Sequence, residues 1–200
     1  MKAAFPILAL LLLTGCQGYK IENGKWSYFY HDEGCRHVTA MAGADQNSFV
    51  PINRVYAKDS QNVYWEGDVV HGADPSTFVP LGWEHGRDKF KVFWHRQEIQ
   101  GADPDSFKII RDSWARDKMA YYTIGYMLVD NFVTDRWVKL DCDYSTLTIL
   151  SLEYAKDKNR AYYFGSPIDG ADVKTFQLTR SGTAKDRYHN YRGRRALPLK

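Results

Sequence analysis

The 200-residue chain has no apolar run long enough to cross a bilayer; a spanning helix needs about 20 such residues. Its most apolar stretch, Phe5 to Leu13, is far shorter. Nor does any segment carry a long apolar period of 3.6 residues, so extensive helix is excluded. Charge of one sign is lacking too. With 27 Lys and Arg against 24 Asp and Glu, bulk electrostatics do not point to nucleic acid. Catalytic signatures are missing: there is no G-x-S-x-G, H-E-x-x-H, G-x-x-x-x-G-K-[ST] or paired C-x-x-C. Cysteine is scarce, with only Cys16, Cys35 and Cys142.

What the chain does have is a repeat. "GADQNSF" (43–49), "GADPSTF" (72–78), "GADPDSF" (101–107) and "GADVKTF" (170–176) are near copies. A second pattern accompanies them. Asp59, Asp88, Asp117, Asp157 and Asp186 are spaced by 29, 29, 40 and 29 residues. Five residues after each stands an aromatic: Tyr64, Phe93, Tyr122, Tyr162 and Tyr191. Asn23 and Tyr28 form a degenerate first copy, with seven extra residues near "HDEGCRH". The fourth copy reads as having lost its GAD, with Trp137 of "NFVTDRW" (131–137) in the phenylalanine slot. An insertion is then expected within 140–150. A fixed period of this length signals a repeat architecture, and a 29-residue copy needs its neighbours to complete a core.

Each repeated position has a physical reading. The aspartate suits an Asx-type turn, accepting N–H bonds from the residues just after it. The aromatic and β-branched run that follows reads as a strand. In GADP-x-[ST]-F the glycine permits positive φ. Asp74 and Asp103 suit the cap of a short helical turn that begins at Pro75 or Pro104. That turn would swing Phe78, Phe107 and Phe176 inward. The expected fold is mainly β, an array of about five and a half hairpin units of about 29 residues, curved and compact, with little helix.

Two resemblances add to this. Residues Leu13-Thr14-Gly15-Cys16 close an apolar stretch behind Lys2 and resemble the lipobox of bacterial lipoproteins. The resemblance implies a signal peptide at 1–15, a single domain at 16–200 and a lipidated (palmitate-bearing) Cys16. Gln17, in place of an aspartate, implies the outer membrane, facing the periplasm. The stretches "YAKDKNRAYYF" and "GADPSTF" resemble the DKNYY family of bacterial repeat proteins, which implies an exported protein and supplies no catalytic residues.

The remaining residues are weighed against these readings. In an oxidising compartment the leftover Cys35 and Cys142 are expected to pair. Their Cα atoms would have to lie within about 7 Å. A straight stack would hold copies one and four roughly 30 Å apart, so the bond implies curvature. His31, Cys35 and His37 are residue types that suit zinc. The disulfide reading takes precedence, and no metal or cofactor is expected. The repeated aspartates lack the spacing of calcium loops. The basic tail from Arg180 to Lys200 reads as a polar cap on the array, with contact to an acidic protein or anionic lipid as the alternative. Without a catalytic site, the expectation is a non-enzymatic protein that binds a protein partner, such as a secreted toxin effector it neutralises as an immunity protein. The alternatives are a structural or stress-related envelope lipoprotein and, behind it, an enzyme or small-ligand binder. Shared positions are occupied by folding, so candidate contacts are sought in the irregular segments: His31, His37, Asn131, Trp137, Asp141 and Tyr144.

Overall fold

The structure, a computed structural model, describes residues 17–129 and 132–198, without the side chains of 126–134. Its regular elements are all strands, and no helix occurs among the described residues. Six small antiparallel sheets follow one another along the chain. The chain divides into two compact units, one ending at Trp83 and one beginning at Glu84.

The first unit opens with β1 (Gln17–Glu22), β2 (Lys25–Asp32) and β3 (Cys35–Ala40), a three-stranded meander. Asn23 and Gly24 join β1 to β2 at φ of +52° and +77°, as a two-residue type I′ turn requires. The next sheet is β4 (Val50–Pro51), β5 (Tyr56–Lys58), β6 (Val63–Trp65) and β7 (Asp68–Val69), again in chain order. Then comes β8 (Val79–Pro80).

The second unit repeats the plan. It holds β9 (His85–Arg87), β10 (Val92–Trp94) and β11 (Gln97–Glu98), then β12 (Lys108–Arg111), β13 (Trp114–Arg116), β14 (Tyr121–Val129) and β15 (Phe132–Lys139). After these come β16 (Thr148–Ile149), β17 (Tyr154–Lys156), β18 (Ala161–Tyr163) and β19 (Ser166–Pro167). The last sheet is β20 (Gln177–Leu178), β21 (Ala184–Lys185), β22 (His189–Arg192) and β23 (Arg195–Pro198). The expected β-repeat array is the observed fold.

Composition explains why such short strands hold. In β5 both Tyr56 and Ala57 are buried, so both faces of the strand are covered. Small and large residues alternate across them. Ala57 faces Tyr64, Gly86 faces Phe93, Ala115 faces Tyr122, Ala155 faces Tyr162 and Ala184 faces Tyr191. Each small residue leaves room for the ring opposite, the interdigitation that close packing demands. Within the first unit, Tyr19, Tyr28, Met41, Phe49 and Tyr64 form one core cluster. Within the second, Tyr154, Ile168, Phe176 and Tyr191 form another.

The GAD segments are corners, as expected, each a single helical turn that does not continue into a helix. Phe78 N–H donates to the Asp74 carbonyl at 3.0 Å, and Phe107 to Asp103 at 3.0 Å. One turn closes and goes no further. The Asp74 carboxylate still caps it, accepting from Ser76 N–H at 2.9 Å and Thr77 Oγ1 at 2.8 Å. The pegs Phe49, Phe78, Phe107 and Phe176 are buried.

The fourth copy requires a correction. Its corner was not lost; it is Asp141-Cys142-Asp143-Tyr144-Ser145-Thr146-Leu147, with Leu147 in the phenylalanine place. Asp143 N–H donates to Asp157 Oδ2 at 2.7 Å, across 14 residues. The same bond joins Asp45 to Asp59, Asp103 to Asp117 and Asp172 to Asp186. The extra residues lie instead in the long β14–β15 hairpin, which pairs from Tyr122↔Lys139 out to Val129↔Phe132.

Candidate binding surface

The chemistry-bearing residues of the repeat are used inside it. Asp59 shows how. Its Oδ1 accepts from the N–H groups of Gln61 and Asn62 at 2.7 Å each. Its Oδ2 accepts from Tyr64 hydroxyl at 2.6 Å and Asp45 N–H at 2.9 Å. Asp117, Asp157 and Asp186 repeat the arrangement with Tyr122, Tyr162 and Tyr191 at 2.8, 2.8 and 2.7 Å. The carboxylate is thus a latch that ties turn, strand and preceding corner together. Burial alone would raise these carboxyls, but the hydroxyl and N–H donors outweigh it. They hold Asp186 down at about 2. Burial first, and the carboxylate second, push the Tyr64 hydroxyl up to about 12. A fixed anion beside a phenol that keeps its proton has no acid–base work to offer near neutral pH. In the third copy Phe93 replaces the tyrosine and is fully buried.

The departures from the repeat are different in kind. Both insertions lengthen the same hairpin of the copy, β2–β3 in the first and β14–β15 in the fourth. Every residue from 31 to 40 is exposed. Register sets what each face of the β2–β3 hairpin presents. Tyr30 faces His37 and Asp32 faces Cys35, while on the other face Phe29 is opposite Val38 and His31 opposite Arg36. The Tyr30 and His37 rings stack at 4.6 Å, and His37 Nε2 lies 2.6 Å from Asp32 Oδ1. Arg36 pairs with Glu22 at 2.9 Å. His31 therefore points away from Cys35 and His37, and the three cannot converge on one ion.

The other expected residues separate. Asp141 is exposed and meets Arg160 at 3.1 Å. Tyr144 is half-buried; its hydroxyl donates to the Asp117 carbonyl at 2.9 Å, and its ring lies 5.0 Å from Tyr121. Trp137 is a correction: it is buried against His85, ring centroids 5.2 Å apart, and is closed to any partner. It occupies the interior because it lies on the base of the hairpin, opposite Ile124. Asn131 and Cys16 lie outside the described residues.

The two cysteines expected to pair are free thiols in this structure and belong to different units. Cys35 ends the exposed β2–β3 turn, and Cys142 occupies the alanine place of its corner, partly buried beside Trp114, Leu140 and Tyr162. There it serves as a small apolar residue. A shallow groove of about 370 Å³ passes Cys142, bounded by Met119, Lys139, Asp141 and Tyr144. Burial, helped by three nearby aspartates, pushes the Cys142 thiol up to about 11, so it is no nucleophile at neutral pH.

Sequence reasoning missed the tyrosine hydroxyl as the aspartate's partner. The constant spacing of five between them was the available signal. The family model described as the DKNYY family matches residues 16–94 and 126–195. Between the matched segments, the corner at 101–107 and the Asp117–Tyr122 latch continue the same plan. No curated protein and no solved structure matches the chain.

Proposed function

Because the chain belongs to the DKNYY family, we propose that it is a non-catalytic, periplasm-facing lipoprotein whose repeats are a scaffold for gripping a protein partner. The partner class is an antibacterial effector that attacks the envelope, and the chain acts as its immunity protein. One observation carries this reading: the ten-residue exposed run at 31–40, outside the repeat pattern, presents the stacked Tyr30–His37 pair to solvent. Folding needs no such surface, and aromatic groups rich in contact area are what interfaces favour. The Leu13-Thr14-Gly15-Cys16 motif supports the address. Lipid on Cys16 would hold the binder where such an effector arrives.

The test is co-expression with candidate envelope-attacking effectors, any secreted protein encoded by a neighbouring gene first. Cells should survive the effector, and the two proteins should copurify. Tyr30→Ala with His37→Ala should weaken the complex at least about tenfold, the range of an interface hot spot. An effector that still kills, with no complex recovered, would remove the immunity reading. Undiminished affinity in the double variant would remove the β2–β3 hairpin as the contact.

A further inference from the structure

The charge of this chain is polarised. Residues 177–200 hold seven Lys and Arg and one acid, Asp186, whereas the preceding 176 residues hold 20 basic and 23 acidic residues. Asp186 offers these cations no exposed carboxylate, because it is buried in the latch with Tyr191. Arg187 is paired with Asp172 at 2.7 Å. Lys185, Arg192, Arg194 and Arg195 are exposed and have no carboxylate partner among the described residues.

Register gathers these cations. Tyr191 and Ala184 are buried on one face of the last sheet, and the exposed Ala196, paired with Tyr191, lies on that same side. The opposite face then carries Lys185 on β21, Arg192 on β22 and Arg195 on β23. Arg192 lies directly across from Arg195, and Lys185 is diagonal to Arg192 through Asn190. Arg194 sits in the connecting turn, which Gly193 opens at φ +61°. Directly opposed like charges destabilise a sheet pair. A charge that merely guards a free edge needs no such pairing on the inner strand.

We propose that this face, Lys185–Arg192–Arg195 with Arg194 at its rim, is a docking site for a carboxylate-rich protein segment. The site is independent of the β2–β3 hairpin and stands even if that hairpin binds nothing. Three of the four cations are arginine, although lysine is the commoner cation in the Asp turns of the same unit (Lys89, Lys118, Lys158). A guanidinium fork reads a carboxylate bidentately, which an ammonium cannot do. A membrane surface attracts lysine and arginine alike as charge. β23 also ends its sheet, so an extended segment lying along it can add backbone hydrogen bonds.

The test uses the folded full-length chain and a short poly-glutamate peptide at physiological salt, with phosphatidylglycerol–phosphatidylethanolamine vesicles as the second arm. Wild type should bind the peptide. Combined Arg192→Gln, Arg194→Gln and Arg195→Gln should weaken binding at least about tenfold. The charge-matched control, Lys89→Gln, Lys118→Gln and Lys158→Gln, should stay within about twofold if locality rather than net charge decides. Should the glutamine triple fold poorly by circular dichroism, Arg→Lys at the same three positions keeps the charge and should still weaken binding several-fold. No peptide binding by wild type, equal losses in both glutamine triples, undiminished binding in a folded lysine triple, or binding to the vesicles but not the peptide would each overturn the proposal.

Discussion

At the scale of single residues, stability is concentrated in carboxylates that accept several hydrogen bonds each. Their pKa values are depressed, so the stability they lend is complete above the unfolded aspartate value of about 4 and is lost as pH falls through the folded values. For Asp186 that loss extends down to about pH 2. A second titration should precede it. His85 is buried with Nε2 unpartnered, and burial lowers its pKa to about 4. The unfolded chain takes that proton near pH 6.5, so stability falls as pH drops from about 6.5 to 4. Urea unfolding across pH should show two acid-side declines. His85→Tyr, the residue at the equivalent positions 56 and 154, should shrink the upper one, with the remainder due to His95, whose pKa burial also lowers. A single decline in wild type, confined below pH 4, would contradict the assignment to His85.

At the scale of elements, turn glycines let one sheet pack closely on the next within each unit. Gly165 has φ +73°, and a Cβ there would sit 2.7 Å from Thr123 Cγ2. Gly67 meets Tyr28 Cβ in the same way at 3.0 Å. Gly165→Ala combines backbone strain with a clash and should cost about 2 kcal/mol or more in urea melts; a neutral substitution would show that the sheets are not so closely stacked. Much of this element plan was legible in the sequence, because the aspartate, the aromatic five residues on and the GAD corner each answer a fixed local demand of turn or packing. The fourth corner was not read because its glycine and phenylalanine are gone, while Trp137 imitated the peg. The legible signal was the 14-residue step from Asp143 to Asp157, shared with four other corners. The irregular hairpins stayed opaque for a physical reason: exposed residues such as His31 and His37 answer to no core, so no spacing constrains them.

At the scale of the whole molecule, repeated positions make the scaffold and unrepeated ones are free to specialise. If Cys16 carries the anchor, Cys16→Ser should move the protein from the membrane fraction to the soluble periplasm; a variant that is exported and still sediments with membranes would refute the anchor. The division between scaffold and free surface is tested most directly by comparing unfolding free energies in urea. One variant joins Phe29 to Val38 through an Asn-Gly turn, deleting 30–37. The other is Asp157→Ala, which strips one latch. The first should stay within about 1 kcal/mol of wild type, since residues 31–37 are all exposed. The second should lose about 3 kcal/mol or more, because four donors lose a buried, charged acceptor. A shortened hairpin that costs as much as the lost latch would contradict the account.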